Sequence, residues 1–187
     1  SPITFDSSAV TYTLTGFGGA DDSTVAVDLT NAANKVAKVP KSATAELWAG
    51  TTVSAGPNNS VPALPFTASS IKMTVRVWSP DAGIQVRLKV EDATDPTKSV
   101  ETEATTTVAN TWETLTFDFA NQATGTAPLN LTYTYNRASI FFNFGVTGAT
   151  AGAKTYYFDD VAFLGSTTPP PTTWSPITFD SSAVTYT

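Results

Sequence analysis

The chain has 187 residues, with 16 acidic against 10 basic side chains, a net charge of −6, and neither histidine nor cysteine. The acidic balance argues against a nucleic-acid-binding surface, which needs a basic stripe. The two missing residue types exclude disulfides, serine–histidine–aspartate and cysteine–histidine catalysis, and histidine metal sites. No apolar run is long enough to span a bilayer, and any bound metal would have to be a hard cation on oxygen ligands.

Short strands are predicted along the whole chain. β-branched and aromatic residues dominate them, and Gly, Pro, Asn and Asp separate them. In chain order the predicted strands are 3–5, 10–17, 25–28, 35–38, 44–52, 73–78, 85–91, 101–107, 113–119, 139–144 and 156–163. Because no stretch of a dozen residues keeps a 3.6-residue apolar period, helix is limited to a turn or two. The predicted fold class is all-β, a β-sandwich jelly roll of two antiparallel sheets.

Alternation within the strands divides the side chains between a core face and an outer face. The predicted core residues are Met73, Val75, Val77, Val86, Leu88, Val90, Leu115, Phe117, Phe119, Ile140, Phe142 and Phe144. On 44–52 the same parity places Leu47 inside and Trp48 outside. The outer face carries the candidate ligand-binding residues Glu46, Trp48, Arg76, Trp78, Arg87, Lys89, Glu91 and Asn143.

This combination of indoles and charged groups is typical of a sugar-binding surface. A pyranose ring presents C–H groups on its faces and hydroxyls at its rim, so it stacks on an aromatic ring and hydrogen-bonds to planar ionic groups beside it. The alternative is that Trp48 and Trp78 are half-buried packing residues and that the charges pair across strands. Sugar binding is favoured because both tryptophans share the parity of the charges and not of the core.

Three carboxylates form a candidate metal site at Asp6, Asp159 and Asp160. Asp6 follows the first strand and the other two lie in the last strand, and these strands can be neighbours in a jelly roll. Asp159 shares parity with Val161 and Phe163, so it is predicted to point inward, where an unpaired carboxylate is costly. Ca²⁺ fits such oxygen ligands. A carboxylate paired with Lys35 or hydrogen-bonded to backbone amides is the alternative.

A hydrolytic or lyase activity is a further alternative, because glycosidases use two carboxylates that face each other across a cleft. The available acids are Glu46, Glu91, Asp92, Glu101 and Glu103. Their spacing singles out no pair.

The segment Ser1–Thr13 recurs letter for letter as Ser175–Thr187. We therefore divide the chain into a module at 1–164, a Pro/Thr-rich linker at 165–174, and the first strand of the next tandem repeat at 175–187. Repetition suits multivalent binding, and the composition suits a secreted or cell-surface bacterial protein. The repeated strand is expected to pair with a neighbouring molecule or to take the place of Ser1–Thr13 in another protomer. The alternative is a flexible tail.

Four segments carry a resemblance to a known group of proteins. ITFD, VRVWSPDAGIQVRLKVED, WETLTFDF and YYFDDVAF resemble the β-jelly-roll carbohydrate-binding modules of families 4, 9, 11 and 22. The resemblance implies a non-catalytic sugar-binding domain with a structural Ca²⁺ on Asp6, Asp159 and Asp160. The group often has Glu at the first-strand position, where this chain has Asp6.

More narrowly, ELWAGTTV and VRVWSPDAG are similar to modules of laminarin-binding or laminarin-degrading proteins of marine bacteria. This similarity implies a polysaccharide partner, a β-glucan and more specifically β-1,3-glucan, bound by the tryptophans and the charges of the outer face. The competing interpretation is a structural or adhesive stalk repeat, which would need no exposed tryptophan.

Overall fold

The computed structural model describes residues 2–164; the predicted linker (165–174) and repeated strand (175–187) lie outside the described residues. The described part holds ten strands, one α-helical turn, α1, at Gly148–Ala151, and one 3₁₀ turn at Pro57–Asn59. The strands are Thr13–Phe17 (β1), Thr24–Val27 (β2), Lys35–Lys41 (β3), Gly50–Ser54 (β4), Lys72–Trp78 (β5), Gln85–Asp92 (β6), Asp95–Thr105 (β7), Trp112–Asp118 (β8), Arg137–Phe142 (β9) and Lys154–Leu164 (β10). Within residues 2–164, no helix has the length and apolar character needed to cross a membrane.

The strands form two five-stranded sheets that pack face to face. We call the sheet with order β1-β4-β9-β6-β7 the front sheet and the sheet with order β2-β3-β10-β5-β8 the back sheet. Every pair of neighbouring strands is antiparallel. The chain passes repeatedly from one sheet to the other, so strands that follow each other in sequence, such as β5 and β6, lie in opposite sheets. The predicted β-sandwich is confirmed.

The core lies between the inner faces of the two sheets, where strand alternation predicted it. Val75 and Val77 of the back sheet and Val86 and Val90 of the front sheet are fully buried. Aromatic side chains fill the space between the sheets, and the rings of Phe142 and Tyr156 stack with centroids 4.8 Å apart. Apolar burial of this kind is the main stabilising contribution to the fold.

The predicted strand at 44–52 is wrong over its first half. Residues 42–49 make two successive turns, with the Ala45 amide bonded to the Ser42 carbonyl and the Ala49 amide bonded to the Glu46 carbonyl. The turns remove the alternation, so Leu47 is 42% exposed instead of buried. The strand begins only at Gly50.

Candidate functional site

A groove runs over the outer face of the front sheet and encloses about 380 Å³. This volume lies within the range of small-molecule sites in proteins. The groove is lined by Phe17, Trp48, Thr52, Arg87, Lys89, Glu91, Glu101, Ser139, Phe141 and Phe144. The lining therefore combines aromatic rings with charged and hydroxyl side chains.

Strand register arranges the groove floor in rows that run across the sheet. Lys89 of β6 lies opposite Ser139 of β9 on one side and Glu101 of β7 on the other. Ser139 in turn lies opposite Thr52 of β4, and their hydroxyls are 2.7 Å apart. Because side chains opposite each other in antiparallel strands share a face, these polar groups form one continuous row.

An aromatic wall stands at one end of the groove. The Trp48 and Phe17 rings are nearly parallel, with centroids 6.2 Å apart and an angle of 20° between planes. Phe141 meets Phe17 edge to face at 5.6 Å. Trp48 is 48% exposed, so its indole is held by Phe17 and still presents apolar surface to solvent.

Two glycines, Gly18 after β1 and Gly145 after β9, help to set the position of Trp48. Gly18 has a φ of +66°, a conformation that favours glycine, and its carbonyl accepts a hydrogen bond from the Glu46 amide at 2.8 Å. A Cβ atom on Gly18 would lie 2.8 Å from the Trp48 ring. The Leu47 carbonyl accepts a further bond from the Gly145 amide. The turn 42–49 is thereby fixed on both sides.

Arg87 is held in place by an aromatic ring and two carboxylates. Its guanidinium lies 3.5 Å from the centroid of the Phe144 ring. Its nitrogens form ion pairs with Glu101, at 2.8 Å, and with Glu103. Fork-shaped pairing and stacking of this kind are specific to arginine, so the side chain is ordered before any ligand arrives.

A second ionic group surrounds Glu91 at the other end of the groove. Glu91 Oε2 lies 2.6 Å from Lys89 Nζ, and Glu91 Oε1 lies 3.3 Å from Arg137 Nη1. Glu91 is buried, and its Oε2 accepts no hydrogen bond of good geometry from the described residues. Arg87, Lys89 and Arg137 balance Glu91, Glu101 and Glu103. The groove is therefore polar but electrically neutral.

No protein-family model matches the chain, and no curated protein matches it. Solved structures do. The family 11 carbohydrate-binding module of the cellulosomal cellulase Lic26A-Cel5E of Clostridium thermocellum aligns with a TM-score of 0.51 and 10% identity, over 89% of this chain and 95% of that chain. The family 30 module of Cel9D-Cel44B of the same organism aligns with a TM-score of 0.51 and 8% identity, over 90% and 95%.

A mutant family 29 module complexed with mannohexaose aligns with a TM-score of 0.50 and 11% identity, over 87% of this chain and 89% of that chain. The chain has the jelly-roll fold of these modules. The predicted resemblance, which included family 11, is confirmed at the level of the fold.

Trp78 and Arg76 are not part of the groove of this jelly roll. Both belong to β5, which pairs with β10 and β8 in the back sheet. The prediction that Trp48 and Trp78 share one exposed surface is therefore wrong. The parity of Trp78 is correct, since it faces outward with Tyr157 at 5.5 Å, but it faces outward from the opposite sheet.

Arg76 belongs instead to a buried polar cluster on the back sheet. Its Nη1 lies 2.9 Å from Asp28 Oδ2 and 3.4 Å from Asp159 Oδ2. Asn34 donates to both of these carboxylate oxygens, and the Trp112 indole donates to Asp28 Oδ1. Burial opposes ionisation of Asp28, but hydrogen bonds from Thr30, Asn34 and Arg76 outweigh burial and lower the pKa of its carboxyl.

The structure also removes Asn143 and Glu46 from the groove lining. Asn143 has a φ of +47°, a left-handed conformation that Asn tolerates better than most residues, and β9 ends just before it. This residue interrupts the alternation, so Phe144, predicted in the core, lies in the groove beside Phe141. Glu46 lies exposed on the same turn as Trp48, outside the lining.

The three predicted metal carboxylates have different surroundings. Asp6 Oδ1 accepts a hydrogen bond from the Lys35 amide at 2.8 Å, and Asp160 is exposed with a φ of +47°. A register shift in β10 after Asp159 turns its side chain toward Arg76 on the outer side of the back sheet, so the inward orientation predicted from parity is wrong. In residues 2–164 no group of three or more acidic side chains is arranged to hold a metal ion.

One atom of this set nevertheless fits a cation. Asp159 Oδ1 is buried and has no hydrogen-bond partner in the described part of the chain. Burial raises the pKa of the Asp159 carboxyl, which is the response of an acid whose charge is incompletely compensated. The calcium assignment itself stays a prediction.

Six of the ten residues that line the groove were not in the predicted ligand-binding set. The residues absent from the candidate set are Phe17, Thr52, Glu101, Ser139, Phe141 and Phe144. Glu101 had a detectable signal, because β6 and β7 form a hairpin in which Lys89 faces Glu101 and Arg87 faces Glu103. Phe17 also had one, because glycines flank it in TGFGG. Phe144 had none, since its orientation depends on the backbone at Asn143.

Proposed function

We propose that this chain is a non-catalytic domain that binds a neutral polysaccharide in the front-sheet groove. The observation that carries the proposal is the half-exposed Trp48 indole, which stacks on Phe17 at the end of a polar groove with balanced charge. An indole face matches the C–H face of a pyranose ring. The likeness in fold to carbohydrate-binding modules supports the same role.

The polar groups of the groove suit hydroxyl ligands better than charged ones. Each cation of the groove already faces a carboxylate, so an acidic polymer would gain little Coulomb energy and would have to compete with internal pairs. A sugar hydroxyl can donate to the partly exposed Glu101 and accept from Lys89 without breaking the ion pair of either side chain. These features support a neutral chain such as a glucan.

Within neutral polysaccharides we propose a β-glucan, and specifically β-1,3-glucan of the laminarin type. The support is the similarity of ELWAGTTV and VRVWSPDAG to modules of laminarin-binding proteins. ELWAGTTV contains Trp48, the residue on which the proposed site depends. We further propose that the protein acts outside the bacterial cell, with affinity per module in roughly the micromolar to millimolar range and gain from repetition.

The groove carboxylates support binding in preference to hydrolysis. A glycosidase needs one carboxylic acid that holds a proton and a second carboxylate across the cleft. Glu91, Glu101 and Glu103 each face a cation instead. A catalytic pair is therefore not favoured. The stalk interpretation is not favoured either, because a spacer has no use for a solvent-facing indole beside a groove.

The matched pair of tryptophans provides the test. Trp48→Ala should weaken binding to laminarin on the order of 10-fold, measured by calorimetry and by retardation in affinity gels. Trp78→Ala removes the same side chain from the back sheet and should leave binding unchanged. Laminarin and mixed-linkage glucan should retard the wild-type chain, and alginate should not. Equal losses for both variants, or retardation by alginate alone, would overturn the proposal.

We also propose that a structural Ca²⁺ binds at Asp159, with Asp6 and Asp160 as the further ligands that the resemblance implies. Asp159 Oδ1, which has no hydrogen-bond partner within residues 2–164, supports this assignment, and the ion would supply charge compensation and no chemistry. Strand exchange between chains through 175–187, outside the described residues, stays a prediction.

A further inference from the structure

The first segment of the chain, residues 2–12, is attached to the rest of the described structure at a small number of points. Ile3 and Val161 exchange two backbone hydrogen bonds, of 2.9 and 3.0 Å, in an isolated antiparallel bridge. Asp6 Oδ1 accepts one more from the Lys35 amide. These are the hydrogen bonds that join residues 2–12 to other parts of the described chain, and Ser7–Ala9 are exposed.

Phe5 is the deepest anchor of the segment, and Ile3 and Tyr12 are partly buried against the core beside it. Phe5 is 2% exposed and packs edge to face on Phe158 of β10 at 5.6 Å and on Tyr12 at 5.2 Å. Its φ of +56° is unfavourable for a residue with a large side chain. The segment therefore combines one deep apolar contact with few hydrogen bonds and a strained backbone, which makes it replaceable by an equivalent peptide.

The chain contains that equivalent peptide. Residues 175–187 are identical to 1–13, so Ile177, Phe179 and Asp180 repeat Ile3, Phe5 and Asp6. We propose that the site on β10 and β3 that holds residues 2–12 is a docking site for residues 176–186 of the same chain. The two copies compete for one site, and the second copy takes it when the first is lost.

The length of the chain supports the same-chain occupant. β10 ends at Leu164, and Ile177 would have to return antiparallel to a position beside Val161, about 10 Å back along the strand. The connection 165–176 reaches about 40 Å when extended, and closing a loop of this length costs little entropy. A tether of this size gives an effective concentration in roughly the millimolar range, above that of a second molecule at ordinary dilution.

Three variants of the full chain test the proposal through their melting temperatures. Phe179→Ala should melt like the wild type, because the first copy is joined directly to β1 and holds the site. Phe5→Ala should melt only slightly below the wild type, because the ring of Phe179 replaces the missing ring of Phe5. Phe5→Ala/Phe179→Ala should melt lower than Phe5→Ala by on the order of 10 °C, because no copy can then fill the site. A double variant that fails to fold, beside a folded Phe5→Ala, supports the proposal equally.

Equal melting temperatures of Phe5→Ala and the double variant would overturn the proposal, as would failure of Phe5→Ala to fold. A difference that grows with protein concentration would overturn the same-chain occupant in favour of a second copy. Because the chain has no cysteine, Val161→Cys/Ile177→Cys in the Phe5→Ala background gives a second measurement. A disulfide within monomers supports the proposal, and a disulfide-linked dimer or no disulfide contradicts it. No glycan is used, so the outcome is independent of the proposed function.

Discussion

The Arg87 guanidinium lies over the Phe144 ring at 3.5 Å while its nitrogens reach the carboxylates of Glu101 and Glu103. The ring, the cation and the acids come from the loop after β9, from β6 and from β7, so the contact joins three parts of the front sheet. An arginine fixed in this way loses little conformational entropy when a ligand binds. The groove is therefore preorganised at the end that Arg87 occupies.

Arg87→Lys is the first test of this arrangement. Lysine keeps the charge but cannot form two fork-shaped pairs while stacking on Phe144. We expect laminarin affinity to fall by roughly 10-fold, measured by calorimetry. Arg76→Lys is the matched control on the back sheet and should lower the melting temperature without changing affinity. If Arg87→Lys binds laminarin with wild-type affinity, a positive charge at position 87 is enough for binding and the stacked guanidinium is not needed.

The sequence predicted the class of fold and the kinds of residue in the site correctly. It did not predict which sheet carries the site. Alternation in the predicted strands 73–78 and 85–91 correctly separated the side chains that face the core from those that face outward. It could not give the sheet to which each strand belongs, because that depends on long-range pairing. Trp78 and Arg87 therefore look equivalent in sequence but lie on opposite faces of the molecule.

The second limit is local backbone conformation. A single left-handed residue at Asn143 moves Phe144 out of the predicted core, and a register shift after Asp159 moves that carboxylate away from the core. Both interruptions reverse side-chain parity without a change in residue type. One of the four aromatic residues of the lining, Phe144, and the orientation of a proposed metal ligand depended on such positions.

Gly50 provides a second prediction, about the aromatic floor of the groove. A Cβ atom there would lie 2.6 Å from the ring of Phe141 and 2.9 Å from the ring of Phe17. In Gly50→Ala both rings must move, so the support beneath Trp48 changes. We expect laminarin affinity to fall about 10-fold. The free energy of unfolding should change by less than the binding free energy does. Gly56→Ala, near Ser60 and remote from the groove lining, is the control. Unchanged affinity in Gly50→Ala would contradict a role for this floor.

The pH dependence of stability gives a third prediction. Lys41 is buried, and burial lowers the pKa of its ammonium to about 8 from the ordinary lysine value of 10.5. Between pH 8 and pH 10.5, Lys41 is protonated in the unfolded chain and largely neutral in the folded chain. The free energy of unfolding should therefore rise with pH in this range. Burial raises the pKa of Tyr156 to about 12. Because the phenol ionises near pH 10 in the unfolded chain, Tyr156 contributes its full amount to the free energy of unfolding below pH 10. This contribution is lost as the pH rises above 10.

The effect of Lys41 is therefore separate from that of Tyr156 between pH 8 and 10, where the free energy of unfolding should increase by about 2 kcal/mol. Urea unfolding at several pH values measures it. The increase should disappear in Lys41→Met and persist in Lys38→Met, which changes a half-buried lysine of the same strand. A flat profile in the wild type would mean that Lys41 stays charged in the fold, where its ammonium donates to the Phe142 carbonyl at 2.8 Å.

The fourth prediction concerns the uncompensated carboxylate of the back-sheet cluster. If a cation contacts Asp159 Oδ1, the folded state binds it and the unfolded chain does not, so Ca²⁺ should raise the melting temperature of chelator-treated protein. At a hundred-fold excess over the dissociation constant the stabilisation is about 2.7 kcal/mol. Asp159→Asn should abolish the effect, while Asp118→Asn, which removes an acid paired with Lys72 at 2.9 Å, should retain it. Identical melting curves with and without Ca²⁺ would leave Arg76, Asn34, Thr30 and Trp112 as the compensation for Asp28 and Asp159 within residues 2–164.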